Sequence, residues 1–259
     1  MASAPAQPGL PMLYKDIVPL SSQDNRTWSL RPLQKLDMLK GVHALPVTTD
    51  EFPVAQRYFP IVFSTGPDSV PLALMGLNEG VNTFVDDEGN WKQGTYLPAF
   101  MRRYPFLLAR LTQDAEELSL CFDPTANMLG EFEGEARLFT DEGEPAQTVK
   151  DMLAFCEQFE FAAQRTTAFM KDLEETGLLE DGELTIGLQQ DGSQPYVYRG
   201  FRMINENKLR ELRGDQLRKM QQSGMLTLIY AHLFSLGLTS EIFGRQAEQG
   251  KLPPQTPAA

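Results

Sequence analysis

Apolar residues recur along residues 152–173 at alternating intervals of four and three positions. The members of this stripe are Met152, Cys156, Phe159, Ala163, Thr166, Met170 and Leu173. Such spacing keeps one face of an α-helix apolar, so it predicts a long helix that begins near Pro145 and ends at Gly177. A second stripe has the same spacing and predicts another helix, which continues toward Phe243. Its members are Met225, Ile229, His232 and Leu236.

The two stripes have matching intervals, so the two helices are predicted to pack against each other. We therefore expect five side chains to be largely buried: Met152, Phe159, Leu173, Ile229 and Leu236. On this interpretation, replacing Phe159 with alanine lowers stability by about 3–5 kcal/mol.

The N-terminal half instead contains short apolar runs between turn residues, a pattern typical of β-strands. The predicted strands cover 61–63, 70–77, 83–85, 118–122 and 136–139, and the short helix before them begins at Thr49. Pro71 predicts an edge position for the run at 70–77, because proline has no N–H to donate. A hairpin is predicted over 183–201, and short helices should break at Gly214 and Gly224.

These elements predict an α+β fold, with a strand-rich N-terminal part packed on a C-terminal helical part that has two long paired helices. The 259 residues allow one large or two small domains. We predict a single domain over 13–245, strand-rich over 13–144 and mainly helical with one hairpin over 145–245. The Pro- and Ala-rich ends, 1–12 and 246–259, are predicted to be a disordered arm and a disordered tail.

The N-terminus lacks the pattern of a secretory signal, because three prolines precede Met12 and the first basic residue is Lys15. No uninterrupted apolar run approaches the roughly 20 residues that cross a bilayer, so no membrane insertion is expected. Cys121 and Cys156 show no CxxC spacing, and both are predicted to be reduced and buried. A cytoplasmic location is the resulting prediction.

The net charge of −12 resides in one segment. Residues 131–191 contain 16 acidic and 4 basic residues, whereas the remainder is balanced. Such a segment repels nucleic acid, so no nucleic-acid partner is expected. It is either a solubilising surface or a docking face for a basic partner. The basic stretch 199–219 is predicted to complement the acidic helix within the fold.

Motifs that would assign chemistry are missing from the sequence. His43 and His232 are the only histidines, and the chain has no HExxH, P-loop, GxGxxG or GxSxG motif. The acidic turn at 86–89 lacks the alternating ligands of a calcium loop. We expect no metal and no cofactor, and specifically no stoichiometric zinc or iron in the purified protein.

The densest group of recognition residues lies within 91–104. It contains Trp91, Tyr96, Arg102, Arg103 and Tyr104, with Trp28 as a further candidate. Aromatic rings with guanidinium groups line peptide and sugar grooves, but they also form core corners in which arginine stems cover rings. His232 is similarly either a core histidine or a polar group that closes a pocket. Both alternatives remain open for each residue.

The order of short sequence motifs over residues 13–245 resembles that of the bacterial SapC family. The matching words include VPLS at 18–21, EFP at 51–53, YFPIVF at 58–63, YLPAF at 96–100, RRYPF at 102–106 and IYAHL at 229–233. Asn25 departs from the histidine expected three positions before the tryptophan. The resemblance implies a bacterial protein connected with the surface layer or with TonB-dependent uptake, and it implies no established reaction.

The leading functional hypothesis is a non-catalytic binding or accessory protein of a bacterial surface-layer or outer-membrane nutrient-uptake system. We expect a protein or peptide partner, with a carbohydrate as the alternative ligand. The second hypothesis is an enzyme, or an enzyme subunit, that modifies a peptide or carbohydrate. The third is a structural component of the surface layer.

Overall fold

The structure is a computed structural model, and it describes residues 10–111, 117–187 and 195–253. Its strands in chain order are β1 Val18–Pro19, β2 Ser29–Leu30, β3 Ala44–Pro46, β4 Ile61–Phe63, β5 Pro71–Leu74, β6 Phe106–Ala109, β7 Ser119–Phe122, β8 Leu129–Gly130, β9 Ala136–Arg137, β10 Leu179–Asp181, β11 Leu184–Ile186, β12 Tyr196–Tyr198 and β13 Arg202–Ile204. Its α-helices are α1 Phe52–Ala55, α2 Ala99–Arg102, α3 Gln147–Thr176, α4 Glu206–Arg210, α5 Gly214–Ser223, α6 Met225–Ser235 and α7 Thr239–Glu248. The predicted α+β fold is confirmed.

The chain divides into two compact units, each built from two separate segments. The first unit combines Met1–Gln34 with Met101–Phe161, and the second combines Lys35–Phe100 with Ala162–Ala259. The sequence predicted one domain that changes character near residue 145. Local patterns do not reveal the interleaving, because it arises from pairing between strands far apart in sequence.

The first unit contains two three-stranded sheets, with strand orders β1-β7-β6 and β8-β2-β9. Both use long-range antiparallel pairs, such as Val18 with Phe122. The core is formed by Phe106, Phe122 and Cys156, which are almost completely buried. Trp28 is half-buried beside this core, and its ring meets that of Phe122 edge to face, with centroids 6.0 Å apart.

The second unit is built on a five-stranded sheet with the order β10-β13-β4-β5-β3. Strand β5 is therefore internal, and the predicted edge position is wrong. Pro71 is the first residue of β5, opposite Phe63, and its carbonyl accepts a hydrogen bond from the N–H of Val47 at 3.1 Å. A proline at the start of a strand contributes its carbonyl, so its missing N–H does not exclude an internal position.

The hairpin of β11 and β12 lies where the sequence predicted it, with Leu184 opposite Tyr198. Its predicted turn at 190–193 falls outside the described residues. Two ion pairs join the basic stretch to the acidic segment in this unit, and one of them reaches the acidic helix α3. Arg199 donates to Glu183 at 2.6 and 2.8 Å, and Arg202 forms an ion pair with Glu174.

Helix α3 covers the predicted range almost completely, but only part of its stripe is fully buried. Leu173 of α3 and Ile229 of α6 have no exposed surface, as predicted. Met152, Phe159 and Leu236 are only half-buried. Their burial is incomplete because equal spacing defines the apolar face of each helix without specifying what covers that face. Phe159, for example, is covered by a guanidinium group.

The last apolar stripe forms two helices, α6 and α7, separated by a 3₁₀ turn at Leu236–Leu238. By length and composition alone, Met225–Glu248 could cross a membrane, although 39% of its most apolar window is buried within the protein. Buried core helices of other proteins can have the same length and apolar composition. Contacts of α6 with α1, β4 and β13 account for its buried residues.

The predicted terminal segments are only partly described. Residues 1–9 of the arm and 254–259 of the tail lie outside the described residues. The tail was predicted to begin at 246, but α7 continues to Glu248 and Gln246 has no exposed surface. The Gln246 amide explains this ordering, because it accepts from the N–H of Leu77 at 2.6 Å and donates to Asn78 at 2.9 Å.

Candidate functional site

A groove in the second unit runs between the C-terminal half of α3 and the junction of α5 with α6. Its larger part has a volume of about 570 Å³, and an adjoining part has about 350 Å³. Asp172, Ser223 and Met225 line both parts, so the two are continuous. This is the size range of ligand and peptide sites.

The groove exists because the chain changes direction at Gly224. This glycine has φ +78°, a left-handed conformation that ends α5 and lets α6 begin at the next residue. Met220 and Met225 flank the turn, and both are about 93% buried, with 7% exposure. Phe169 of α3 is equally buried and packs edge to face on Phe52 at 6.1 Å. The floor is thus apolar and rests on helices.

An ion pair lines the larger part of the groove. Arg165 donates to both carboxylate oxygens of Asp50, from Nε at 3.1 Å and also from one terminal nitrogen. The 3₁₀ turn that carries Asp50 is fixed to α3, because the N–H of Thr49 donates to Thr166 Oγ1 at 2.9 Å. The turn that bears Asp50 is therefore held against α3, and the Asp50–Arg165 pair is solvent-exposed.

Glu51, which follows Asp50 in the chain, is a buried carboxylate that no sequence motif marked as functional. Its Oε2 accepts from the N–H of Thr48 at 2.8 Å and from the Thr48 hydroxyl at 3.0 Å. Its Oε1 accepts from the Tyr96 hydroxyl at 2.9 Å and from the N–H of Ala99 at 2.7 Å. The four donors satisfy the charge of Glu51 within the fold.

The three predicted site residues of the second unit are all engaged in packing or hydrogen bonds. Trp91 stacks on Phe84, with ring centroids 5.7 Å apart. The guanidinium carbon of Arg245 lies 4.8 Å from the centroid of the Phe84 ring. Tyr96 is the residue that donates to Glu51. Trp91 and Tyr96 are half-buried, so each retains an accessible edge.

His232 is completely buried and bridges two strands of the sheet. The N–H of Ile204 in β13 donates to Nε2 at 3.1 Å, so Nε2 is unprotonated. The proton therefore resides on Nδ1, which donates to the Ile61 carbonyl of β4 at 2.7 Å. Burial lowers the pKa of His232 to about 4. Of the two alternatives, a core histidine or a polar group that closes a pocket, the structure shows a core histidine.

The predicted residues of the first unit form a different cluster. Arg103 is buried, pairs with Glu160 at 3.3 Å and lies 4.0 Å from the Phe159 ring centroid. Arg102 lies over Phe155 at 5.0 Å. Tyr104 is buried, and burial raises the pKa of its hydroxyl to about 12. Both arginines thus cover aromatic rings.

The predicted recognition surface is therefore distributed between the two units. Trp91, Tyr96 and His232 belong to the second unit, whereas Trp28 and residues 102–104 belong to the first. A common concave surface of these residues stays a prediction.

Replacing Trp91 with alanine should lower the free energy of unfolding by about 3 kcal/mol, because Trp91 stacks on Phe84 in a layer of packed rings. Urea denaturation measures the change, and Trp91→Phe, which keeps an aromatic ring, is the matched control. A Trp91→Ala variant with wild-type stability that no longer captures a partner would instead favour a role of Trp91 in recognition.

The two cysteines are free and buried, as predicted. Burial raises the pKa of the Cys156 thiol to about 12, and burial also raises that of Cys121. Across residues 10–111, 117–187 and 195–253, no group of three or more His, Cys, Asp or Glu residues is placed to hold a metal ion.

Comparison with known proteins finds a family match. The family model described as SapC matches residues 20–242, which is most of the chain. No curated protein and no solved structure matches the chain.

Proposed function

The chain belongs to the SapC family, and we propose that it is a non-catalytic accessory protein that binds a protein or peptide partner. We further propose that it serves a surface-layer or outer-membrane uptake system from the cytoplasm. The connection with those systems rests on the family resemblance. The binding role rests on the groove between α3 and the α5–α6 junction.

The groove supports recognition of a protein or peptide, because it joins an apolar floor to charged rims. Phe169, Met225 and Leu228 line one continuous surface with Asp50 and Arg165. Methionine side chains adapt to varied apolar partners, and fixed ion pairs give orientation.

The state of His232 and of the two cysteines supports a role without catalysis. Both nitrogens of His232 are occupied by backbone partners. The Cys121 and Cys156 thiols are buried with raised pKa values, which disfavours the reactive thiolate at neutral pH. Each of these groups therefore serves the fold.

Cell fractionation with co-purification tests this proposal. A tagged copy expressed in the natural host should be found in the cytoplasmic fraction and should retain a protein partner in near-equal amount after washing at physiological salt. Recovery in the surface-layer fraction, or recovery of the protein alone under gentle conditions, would contradict the proposal.

A further inference from the structure

Helix α6 exposes two stacked aromatic rings on its outer face. The ring centroids of Tyr230 and Phe234 are 5.7 Å apart with an interplanar angle of 23°, and Phe234 is 73% exposed. The opposite face of α6 carries Ile229 and His232, which have no exposed surface. Folding therefore uses one face of α6, while the other presents an apolar patch of the kind that marks interaction sites.

This aromatic patch continues the groove. Thr227, Tyr230 and Phe234 are separated by three and four positions, so they share one face of α6. Thr227 lines the groove together with Ala168 on α3. The exposed rings therefore extend the apolar floor along α6 beyond the end of the cavity.

The α3 side of the groove carries two exposed carboxylates, Asp172 and Glu175. Among the described residues, neither carboxylate has an ion-pair partner within 4.0 Å. Lys219 lines the opposite wall, and the charge of Arg165 is matched by Asp50. The groove thus has an excess of negative charge beside an apolar surface.

We propose that the groove and the aromatic patch bind an amphipathic helix of the partner protein, with basic residues beside its apolar face. Its apolar residues would pack on Tyr230, Phe234 and the floor, and its lysine or arginine residues would pair with Asp172 and Glu175. A helix laid into a groove suits this surface, because the walls are helices whose methionines adjust to the ligand. This inference rests on the proposed binding function and names the chemistry of the partner.

The test uses the purified full chain and a fluorescent designed peptide of about 18 residues, long enough to form a helix, made of leucine and lysine at amphipathic spacing. Fluorescence anisotropy measures its affinity. Phe234→Ser should weaken binding about tenfold. The double variant Asp172→Asn/Glu175→Gln should weaken it about fivefold and reduce its dependence on salt. A peptide with glutamate in place of lysine should bind much more weakly.

Matched controls separate the groove from general attraction to an acidic protein. Leu111→Ser removes another exposed apolar side chain, and Asp151→Asn/Glu157→Gln removes two exposed charges of α3 outside the groove. Neither should change affinity. Equal loss in the control and groove variants, or no loss in either, would overturn the inference.

Two further outcomes would also overturn it. Self-association that Phe234→Ser abolishes would assign the aromatic patch to a second copy. Binding to vesicles of phosphatidylglycerol that Phe234→Ser abolishes would assign it to a lipid surface.

If the co-purified partner is retained by the Phe234→Ser and Asp172→Asn/Glu175→Gln variants, this inference fails while the proposed binding function stands. If no partner is recovered at all, the proposed function fails.

Discussion

Replacing His232 with alanine is expected to lower the free energy of unfolding by about 3–5 kcal/mol. The imidazole joins β4 to β13 through the Ile61 carbonyl and the Ile204 N–H, and the substitution leaves both groups buried without these partners. It also leaves a cavity beside the Phe63 ring, whose centroid is 4.9 Å from that of the imidazole. Chemical denaturation measures the change. The half-buried His43 provides the matched control, and His43→Ala should have a much smaller effect.

The same histidine predicts a specific pH dependence. Burial lowers the pKa of His232 to about 4, below the ordinary value of 6.5, so the unfolded chain binds the proton first as pH falls. Stability is therefore lost between these two values and is retained above 6.5. From pH 7 to pH 5, the contribution of His232 should fall by about 2 kcal/mol. The difference in stability between wild type and His232→Ala should shrink by that amount, and a constant difference would contradict the assignment.

Replacing Glu51 with alanine is expected to lower the free energy of unfolding by about 3 kcal/mol. The carboxylate accepts four hydrogen bonds, and the substitution removes the acceptor of two buried backbone N–H groups, those of Thr48 and Ala99. Glu51→Gln should also destabilise the protein, because an amide nitrogen would then face donors. Thermal and urea unfolding measure both variants.

Asp50→Ala is the matched control for Glu51. Asp50 is the neighbouring acid, but its ion pair with Arg165 is solvent-exposed, so its loss should change stability by about 1 kcal/mol or less. Equal effects of the two alanine substitutions would show that the buried hydrogen bonds of Glu51 contribute little.

Helix α3 was predictable because its signal is local. The stripe from Met152 to Leu173 and the stop at Gly177 define α3, which ends at Thr176. The hairpin of β11 and β12 was equally predictable from its alternating runs and turn residues. Each of these patterns depends on neighbours a few positions apart, and no distant residue overrides it.

Strand partners and unit boundaries were not predictable, because they depend on contacts between distant residues. Pro71 indicated an edge strand, yet β3 and β4 flank β5 on both sides. The pairing of Val18 with Phe122 joins segments that local patterns keep apart, and it places the N-terminal segment in the first unit.

The groove also escaped sequence reasoning, although its parts were visible. The glycine at 224 was recognised as a helix break, and Met225 was recognised as a helical apolar residue. The sequence does not show that the left-handed conformation of Gly224 changes the chain direction between α5 and α6. It also does not show that this junction lies beside α3. His232 was placed on the apolar stripe of the last helix, and that position did not reveal its two hydrogen bonds to the backbone.

Partner capture by a groove-blocked variant tests the central claim most directly. Ala168 is exposed and lines the groove, whereas Ala154 is an exposed alanine of the same helix outside it. Tagged wild-type protein, Ala168→Trp and Ala154→Trp should be purified in parallel, and the partner quantified by mass spectrometry. We predict that Ala168→Trp reduces partner recovery about tenfold at unchanged thermal stability, while Ala154→Trp recovers it fully. Equal recovery by a folded Ala168→Trp variant would contradict the claim that this groove binds the partner.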